Sequence, residues 1–556
     1  MPSNGQPGLS YLRQRLKGIL FNPVQVKPPP EDVIFERDVE VKARDGTILR
    51  ANVFRPQAAG RYPVLMSFHP YGKDALPQKR FGRYQPLITY RLMRQTGPFQ
   101  LSAYTGWEAP DPATWVAYGY VVINADMRGF FKSDGEATLL SEQEGTDYVD
   151  LIEWAAQQEW SNRNIGLSGV SYLALTQWRA AAMRPPSLKA ICPWEGFSDI
   201  YRDLVFPGGV REQGFTNFWF GRLDKKRVKE DLIAEQDRRP LLDEGWAAKA
   251  TELEKIEVPA LICGSFSDHN LHSRGSFAGF TRAGSKQKWL YTHRTGKWAA
   301  YYSAEAIALQ KRFFDHFLKG VANGMDQVAP VRLEVRESGD VVHQIRQENE
   351  WPLARTVWQR LYLRADGETQ WEVPPAALQT STRFPAGRLS FSHTFECDTE
   401  LSGPMKARIF ASVVDTDDLC LFLGVRKLRG DQHVVFEGSF GFGYDLVTRG
   451  WIRLSQRELD PELSKEYQPV HTHRRRQPMV SGQIEAVEVE LLPSSTFFRA
   501  GETLRLDIQG RYFFRRHPFL GQFPAGYETS PPGGLTVHCG GEHDSYLLLP
   551  VIPPRS

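Results

Sequence analysis

The chain has 556 residues and a formal net charge of +3, with 41% hydrophobic and 24% charged residues, as in an ordinary globular protein. That length exceeds one core and predicts two or three domains. The near-balanced charge excludes a general attraction for nucleic acid, and no apolar run approaches the ~20 residues that cross a bilayer, so stable membrane insertion is not expected. The five cysteines, at 192, 263, 397, 420 and 539, form no Cys-x-x-Cys pair. This speaks against a zinc or redox centre and for a reducing, cytoplasmic setting.

The first segment, Ser10–Phe21, reads as a short basic amphipathic helix, expected as an arm packed on the body of the protein; the apolar core of a signal peptide is not seen. From Asp32 to Arg55 two alternating runs flank Asp45-Gly46, a hairpin pattern. Pro63–His69 and Val121–Asp126 are continuous apolar runs, as in strands buried on both faces. Between Glu142 and Gln158 the apolar positions Tyr148, Leu151, Ile152 and Ala155 have helical spacing. A strand then enters Gly169-Val170-Ser171-Tyr172, a helix follows, and Pro185-Pro186 ends it. Leu188–Pro193 is the next short strand. Strands alternating with helices predict parallel βαβ units.

From about Asp199 to Glu257 the rhythm breaks. The charged run Arg222–Glu235 predicts helix, and the whole stretch reads as a helical cap over the site. Strands resume at Val258–Gly264 and Lys288–His293, and a helix is expected over Ser303–Leu318. After Gly324 short alternating segments take over, beginning with Val331–Arg336. They predict a β-sandwich of jelly-roll type. The expected organisation is an α/β catalytic domain over 1–198 and 258–324, a cap over 199–257 and an all-β domain over 325–556.

The chemistry concentrates at Ser171. A sharp strand-to-helix turn lifts its hydroxyl above the sheet, and the Tyr172 amide at the helix start faces any oxyanion. The partners of such a serine follow in the order acid, then histidine. Asp268 lies just past the strand Ala260–Gly264, and His293 ends the strand after that, so the expected triad is Ser171, Asp268 and His293. The rivals are Ser168, Asp126 and Asp199, and His269 and His272. The two histidines stand close to Asp268 in sequence, too near to reach across to Ser171 easily. Asp126-Met-Arg128-Gly reads as a structural carboxylate–arginine loop. Tyr71, in the loop after the first buried strand, is placed to supply the second oxyanion donor through its phenol. Trp194 and Phe197 are candidate substrate contacts. No metal or organic cofactor is needed.

Several motifs carry a family resemblance. They are Pro70-Tyr71-Gly-Lys73, Gly119–Gly129 with Ser133-Asp-Gly135, Trp154–Gln157 with Trp160-Ser, Ile165–Ala174 and the C-terminal Ser545–Pro553. The chain resembles the cocaine esterase / X-prolyl dipeptidyl aminopeptidase family of serine hydrolases. The resemblance implies an α/β-hydrolase core, a helical cap and a jelly-roll C-terminal domain. It also implies an acyl-serine intermediate and an oxyanion hole built from the Tyr71 hydroxyl and the Tyr172 amide. Three features depart from the family pattern, one of them the long, aromatic insertion between Lys73 and Ala113. Ala174 stands where the family has glycine, and His293 lies outside the usual Gly-Pro-Trp-x-His context.

The expected activity is hydrolysis of a small-molecule ester or activated amide through an acyl-enzyme. An X-Pro peptidase, for which Glu195 is a candidate amino-group anchor, is one alternative. An acyltransferase or cyclase and a non-catalytic ligand-binding β-sandwich are the others. Acyl group, leaving group and homo-oligomer formation stay open.

Overall fold

Alternating strands and helices between residues 33 and 348 build one twisted sheet in the computed structural model, which describes residues 9–93, 95–339 and 341–554. Its strands are β1 (Val33–Lys42), β2 (Ile48–Pro56), β3 (Tyr62–His69), β4 (Val121–Asp126), β5 (Ser161–Val170), β6 (Leu188–Trp194), β7 (Ala260–Ser265), β8 (Lys288–His293), β9 (Val331–Arg336) and β10 (Val342–Glu348). Their spatial order is 1-2-4-3-5-6-7-8-9-10. Pairing is parallel from β4 to β9 and antiparallel at both edges.

Both faces of the parallel part are covered, and the sequence shows why. Along β3, Val64, Met66 and Phe68 face one core and Leu65 the other; along β7, Ala260 and Ile262 oppose Leu261 and Cys263. Every second side chain meets a different layer, so no position can be polar without a partner. Each buried Leu, Ile or Val adds about 1.5–3 kcal/mol.

The helices are α1 (Leu9–Leu20), α2 (Glu142–Ala156), α3 (Tyr172–Ala182), α4 (Ser273–Arg282) and α5 (Ala304–Lys319), with shorter helical turns between them. Ser141 caps α2 by accepting from the Glu144 amide, Ser303 caps α5 at the Ala306 amide, and Gly320 closes α5 in the left-handed region at φ 69°.

The insertion at 199–257 is helical in pieces: Phe215–Phe220, Leu232–Arg238 and Glu244–Ala247. The continuous helix expected over Arg222–Glu235 does not form. The Asp224 carboxylate accepts from the Lys226 amide and Asp231 from the Ile233 and Ala234 amides. Two aspartates that start new turns outcompete one long helix.

The C-terminal part is a sandwich of two antiparallel sheets. In one, the long strand Thr399–Val414 lies between Glu485–Phe498 on one side and Tyr546–Ile552 followed by Gly533–Gly540 on the other. In the second, Cys420–Arg429 lies between Glu502–Gln509 and Thr448–Arg453. Their inner faces share a core that includes Ile409, Val425, Val489, Leu506 and Leu547. One expectation is corrected here: Val331–Arg336 does not belong to the sandwich. It extends the catalytic sheet, pairing in parallel with β8 at Leu290↔Val331. It touches the sandwich through the single bridge Arg336↔Thr496. Arg336, 1% exposed, donates to the carbonyls of Phe266, Val447 and Ser495 and to the Ser494 and Thr496 hydroxyls, tying the two bodies together.

Candidate active site

The carboxyl ends of the parallel strands converge where the strand order reverses around β3, the usual place for a site in an open α/β sheet. The loop after β3 brings Tyr71, the turn after β5 brings Ser171, the loop after β7 brings Asp268 and His272, and the chain after β8 brings Lys297.

Ser171 has φ 61° and ψ −120°, a strained conformation for a residue with a side chain. Surrounding bonds enforce it. Its amide donates to the Trp194 carbonyl (3.0 Å), and its own carbonyl accepts from the Ala174 amide (2.8 Å). Gly169 is required just before the turn: at φ 146°, a Cβ there would stand 2.5 Å from the Leu173 Cβ. Ala174 is accommodated from the other side, because Gly196 has no Cβ to meet its methyl group. The departure from the family glycine is thus matched by a second glycine.

The imidazole that meets the Ser171 hydroxyl is that of His272. Its Nε2 lies 3.2 Å from Ser171 Oγ, and its Nδ1 donates to Asp268 Oδ2 at 2.5 Å. The expectation for His293 is corrected. His293 Nε2 is bonded to Glu195 Oε1 (2.8 Å), both side chains are buried, and the ring stacks near Trp194 rather than on the serine. The reason lies in the backbone. The amides of Leu271, His272 and Ser273 all donate to the Asp268 carbonyl (3.2 Å), closing one helical turn ahead of α4. That turn puts residues four apart on one face, so Asp268 and His272 pair locally and the ring still points to Ser171.

Lys297 joins the pair. Its Nζ donates to Asp268 Oδ2 at 2.9 Å and lies 3.0 Å from His272 Nδ1, and it is 3% exposed. Burial pushes the Asp268 carboxyl up, but the Lys297 charge, with His272, outweighs it and holds Asp268 well below the usual carboxylate range. Burial, then the Lys297 charge, lower the His272 ring below its ordinary value, against the pull of Asp268. The ring is therefore neutral near pH 7. Its proton sits on Nδ1, facing the carboxylate, which leaves the Nε2 lone pair aimed at the serine.

Tyr71 is fixed at its amide and at its hydroxyl. Its amide donates to His69 Nδ1 (3.2 Å), whose Nε2 in turn is held by Asn124 Oδ1 (2.5 Å). Its hydroxyl accepts from Trp219 Nε1 (3.2 Å), a residue of the helical insertion. The phenolic hydrogen is left to donate, and burial raises the phenol far above its ordinary range. The Tyr172 side chain is engaged elsewhere, donating to Glu144 Oε2 (2.8 Å). Its amide, in the first turn of α3, lies in the turn that holds the serine.

The cleft at Ser171 encloses about 230 Å³ and is lined by Tyr71, Tyr172, Leu175, Phe197, Leu204, Phe215, Trp219, Leu271 and His272. It is apolar and aromatic and contains no carboxylate. Phe197 lies in this wall, its ring nearly parallel to His272 (centroids 6.1 Å apart). Trp194 does not: it is fully buried in the opposite core against Tyr291 and Tyr301.

The remaining sequence rivals find structural roles. Ser168 bonds the Tyr301 hydroxyl (2.8 Å), His269 bonds the Pro493 carbonyl (3.1 Å), and Asp199 pairs with Arg202 (3.0 Å). Asp126 accepts from the Lys73 amide (2.6 Å), whereas Arg128 pairs with Asp147 and Asp45, so the expected carboxylate–arginine loop is two separate contacts. Glu195, Cys263 and His293 bring three ligand-type atoms within 4.8 Å. Burial keeps the Cys263 thiol protonated, and Glu195 Oε1 is held by His293 Nε2 (2.8 Å).

The sequence and the fold of this chain have counterparts among known proteins. Residues 45–298 match the X-Pro dipeptidyl-peptidase (S15 family) sequence profile, and residues 323–548 match that of the X-Pro dipeptidyl-peptidase C-terminal non-catalytic domain. A cocaine esterase of Rhodococcus sp. (strain MB1 Bresler) is 24% identical over 93% of this chain and 98% of its own length. A putative serine esterase of Mycobacterium tuberculosis is 30% identical over 79% of this chain and 84% of its own. A crystal structure of a CocE/NonD family hydrolase from Staphylococcus aureus superposes with a TM-score of 0.88, at 39% identity and 94% coverage of both chains. The chain therefore belongs to the CocE/NonD hydrolases, serine hydrolases that share the X-Pro dipeptidyl-peptidase (S15) catalytic domain and its C-terminal companion.

Proposed function

We propose that Ser171 is the nucleophile, His272 its base and then acid, and Asp268 the group that orients the ring, in an esterase for small apolar acyl groups. His272 Nε2 takes the Ser171 proton as Oγ attacks the acyl carbonyl. The Tyr71 hydroxyl and the Tyr172 amide donate to the oxyanion. His272 then gives its proton to the departing alkoxide, leaving an acyl-serine ester. Water attacks the acyl carbon as His272 Nε2 takes its proton, and His272 returns that proton to Ser171 Oγ as the acid leaves. The observation that carries this reading is the continuous relay from Ser171 Oγ through His272 to Asp268, at 3.2 and 2.5 Å.

The cleft lining supports an ester over an X-Pro peptide. A peptidase that holds a free amino group needs an acidic anchor at the site. Glu195, the sequence candidate, is 1% exposed and accepts from His293, outside the cleft. The segment 199–257 acts as the lid through Leu204, Phe215 and Trp219, and Phe440 of the C-terminal part packs against Phe215 (ring centroids 5.2 Å apart).

Two measurements test this. A fluorophosphonate probe labels the wild type and not Ser171→Ala. Short-chain p-nitrophenyl esters turn over with a higher kcat/KM than X-Pro anilides. Labelling that survives Ser171→Ala, or a preference for the anilides, contradicts the reading.

A further inference from the structure

Residues 9–30 and 75–107 contain four and five Lys and Arg, and no Asp or Glu. Set against a chain total of +3, the rest of the molecule is net −6 (+3 less +9). The fold brings these two stretches together. Strand Val24–Lys27 pairs in parallel with Phe99–Ser102, and the Arg15 guanidinium of α1 donates to the Leu92 carbonyl (3.0 Å). The end of α1, that strand and the hairpin Gln78–Arg80/Arg83–Gln85 line one hollow of about 1380 Å³, with Lys79, Arg83 and Arg91 on its walls.

The same face exposes large apolar side chains. Leu20 and Phe21 are 74% and 75% exposed, Ile88 is 62% exposed, and Phe81 is fully exposed at the hairpin tip. Phe81 sits there at φ 50°, followed by Gly82 at φ 77°. A phenylalanine in the left-handed region, wholly in water, gains nothing from the fold that holds it. α1 is pinned on its opposite side, where the Tyr11 hydroxyl donates to the Gly441 carbonyl (3.3 Å) and accepts from the Gly443 amide (2.5 Å). Its free side is thus held outward by the body of the protein.

We propose that this face docks peripherally on an anionic phospholipid surface. Lys79, Arg80, Arg83 and their neighbours meet the phosphates, while Phe81, Phe21, Leu20 and Ile88 enter the interfacial layer. Cations interleaved with exposed aromatic and aliphatic side chains suit the headgroup boundary, where charge and apolar surface are both matched. A second copy placed symmetrically on this face would set Lys79, Arg83 and Arg91 against their own copies. Among the described residues no helix is long and apolar enough to cross a membrane, so the contact is with the surface.

The test is co-sedimentation of the full chain with vesicles of phosphatidylcholine and phosphatidylglycerol, against phosphatidylcholine alone, at low and high salt. The wild type partitions onto the anionic vesicles at least about tenfold more strongly, and high salt removes most of the difference. Lys79→Glu with Arg83→Glu lowers that partition about tenfold or more, and Leu20→Ser with Phe81→Ser lowers it several-fold. All variants hydrolyse a soluble ester at the wild-type rate, which shows that they are folded. Equal partition onto both vesicle types overturns the proposal, as do variants that bind like the wild type. A wild-type dimer that these substitutions convert to monomer overturns it in favour of a second copy.

Discussion

At the residue scale, the proposed base of Ser171 is tuned by a neighbour on the far side of the carboxylate that would orient it. Lys297 touches both Asp268 and His272, and its charge opposes protonation of the ring. Lys297→Met therefore raises the His272 pKa. The acid limb of kcat/KM against pH moves to higher pH, and Lys297→Arg restores it. A variant that loses rate equally at all pH values would give Lys297 a structural role only. Tyr71→Phe removes one oxyanion donor while Trp219 and His69 keep the ring in place. The expected cost is about 10²–10³ in kcat with little change in KM. That Ser171, Asp268, Tyr71, Tyr172 and Phe197 lie near one another was legible in the chain, because each stands near a strand end or helix start that the apolar pattern marks. His272 could not be separated from His293 by strand-end position. Its signal is local: Asp268 and His272 stand four residues apart at helical spacing, and the Asp268 carbonyl gathers three amides to close that turn.

At the scale of elements, the turn between β5 and α3 and the doubly covered strands β3 to β8 follow from apolar runs that alternate with helical segments. The pattern failed where capping competes with propensity. Asp224 and Asp231 break the helix expected over Arg222–Glu235. It also failed where periodicity cannot name a partner: Val331–Arg336 alternates as a sandwich strand would, yet joins β8. Arg336 is the joint between these elements. Its five hydrogen bonds accompany complete burial, which pushes the guanidinium down to about 9. Arg336→Met leaves buried carbonyls without donors and is expected to cost about 3 kcal/mol or more. Calorimetry should show the sandwich and the catalytic domain unfolding further apart in temperature than in the wild type. A single transition at the wild-type Tm would show that the joint is not needed.

At the scale of the whole molecule, buried titratable groups make stability depend on pH. Burial raises Glu108 to about 8, while Trp298 Nε1 donates to its Oε1 (3.0 Å). With a folded pKa above the unfolded one, the native state holds the extra proton, so its stabilising contribution is full below about pH 4.5 and is lost as pH rises towards 8. Burial lowers His69 and His471 to about 4. The unfolded chain takes up those protons first, so their contribution is full above about pH 6.5 and is lost as pH falls towards 4. The two effects oppose one another in mildly acidic solution, and Glu108 alone of the three acts between pH 6.5 and 8. Glu108→Gln keeps the Trp298 bond and removes the charge. Its Tm should equal that of the wild type near pH 5 and exceed it increasingly up to pH 8; a constant difference across that range would refute the assignment.

Everything in the catalytic account depends on which imidazole serves Ser171. The most direct measurement is kcat/KM for a short-chain p-nitrophenyl ester with His272→Gln and His293→Gln side by side, each checked for wild-type folding. The geometry predicts a loss of about 10³-fold or more for His272→Gln and a change within about tenfold for His293→Gln, whose amide can still donate to Glu195. Full activity in His272→Gln together with its loss in His293→Gln would contradict the account.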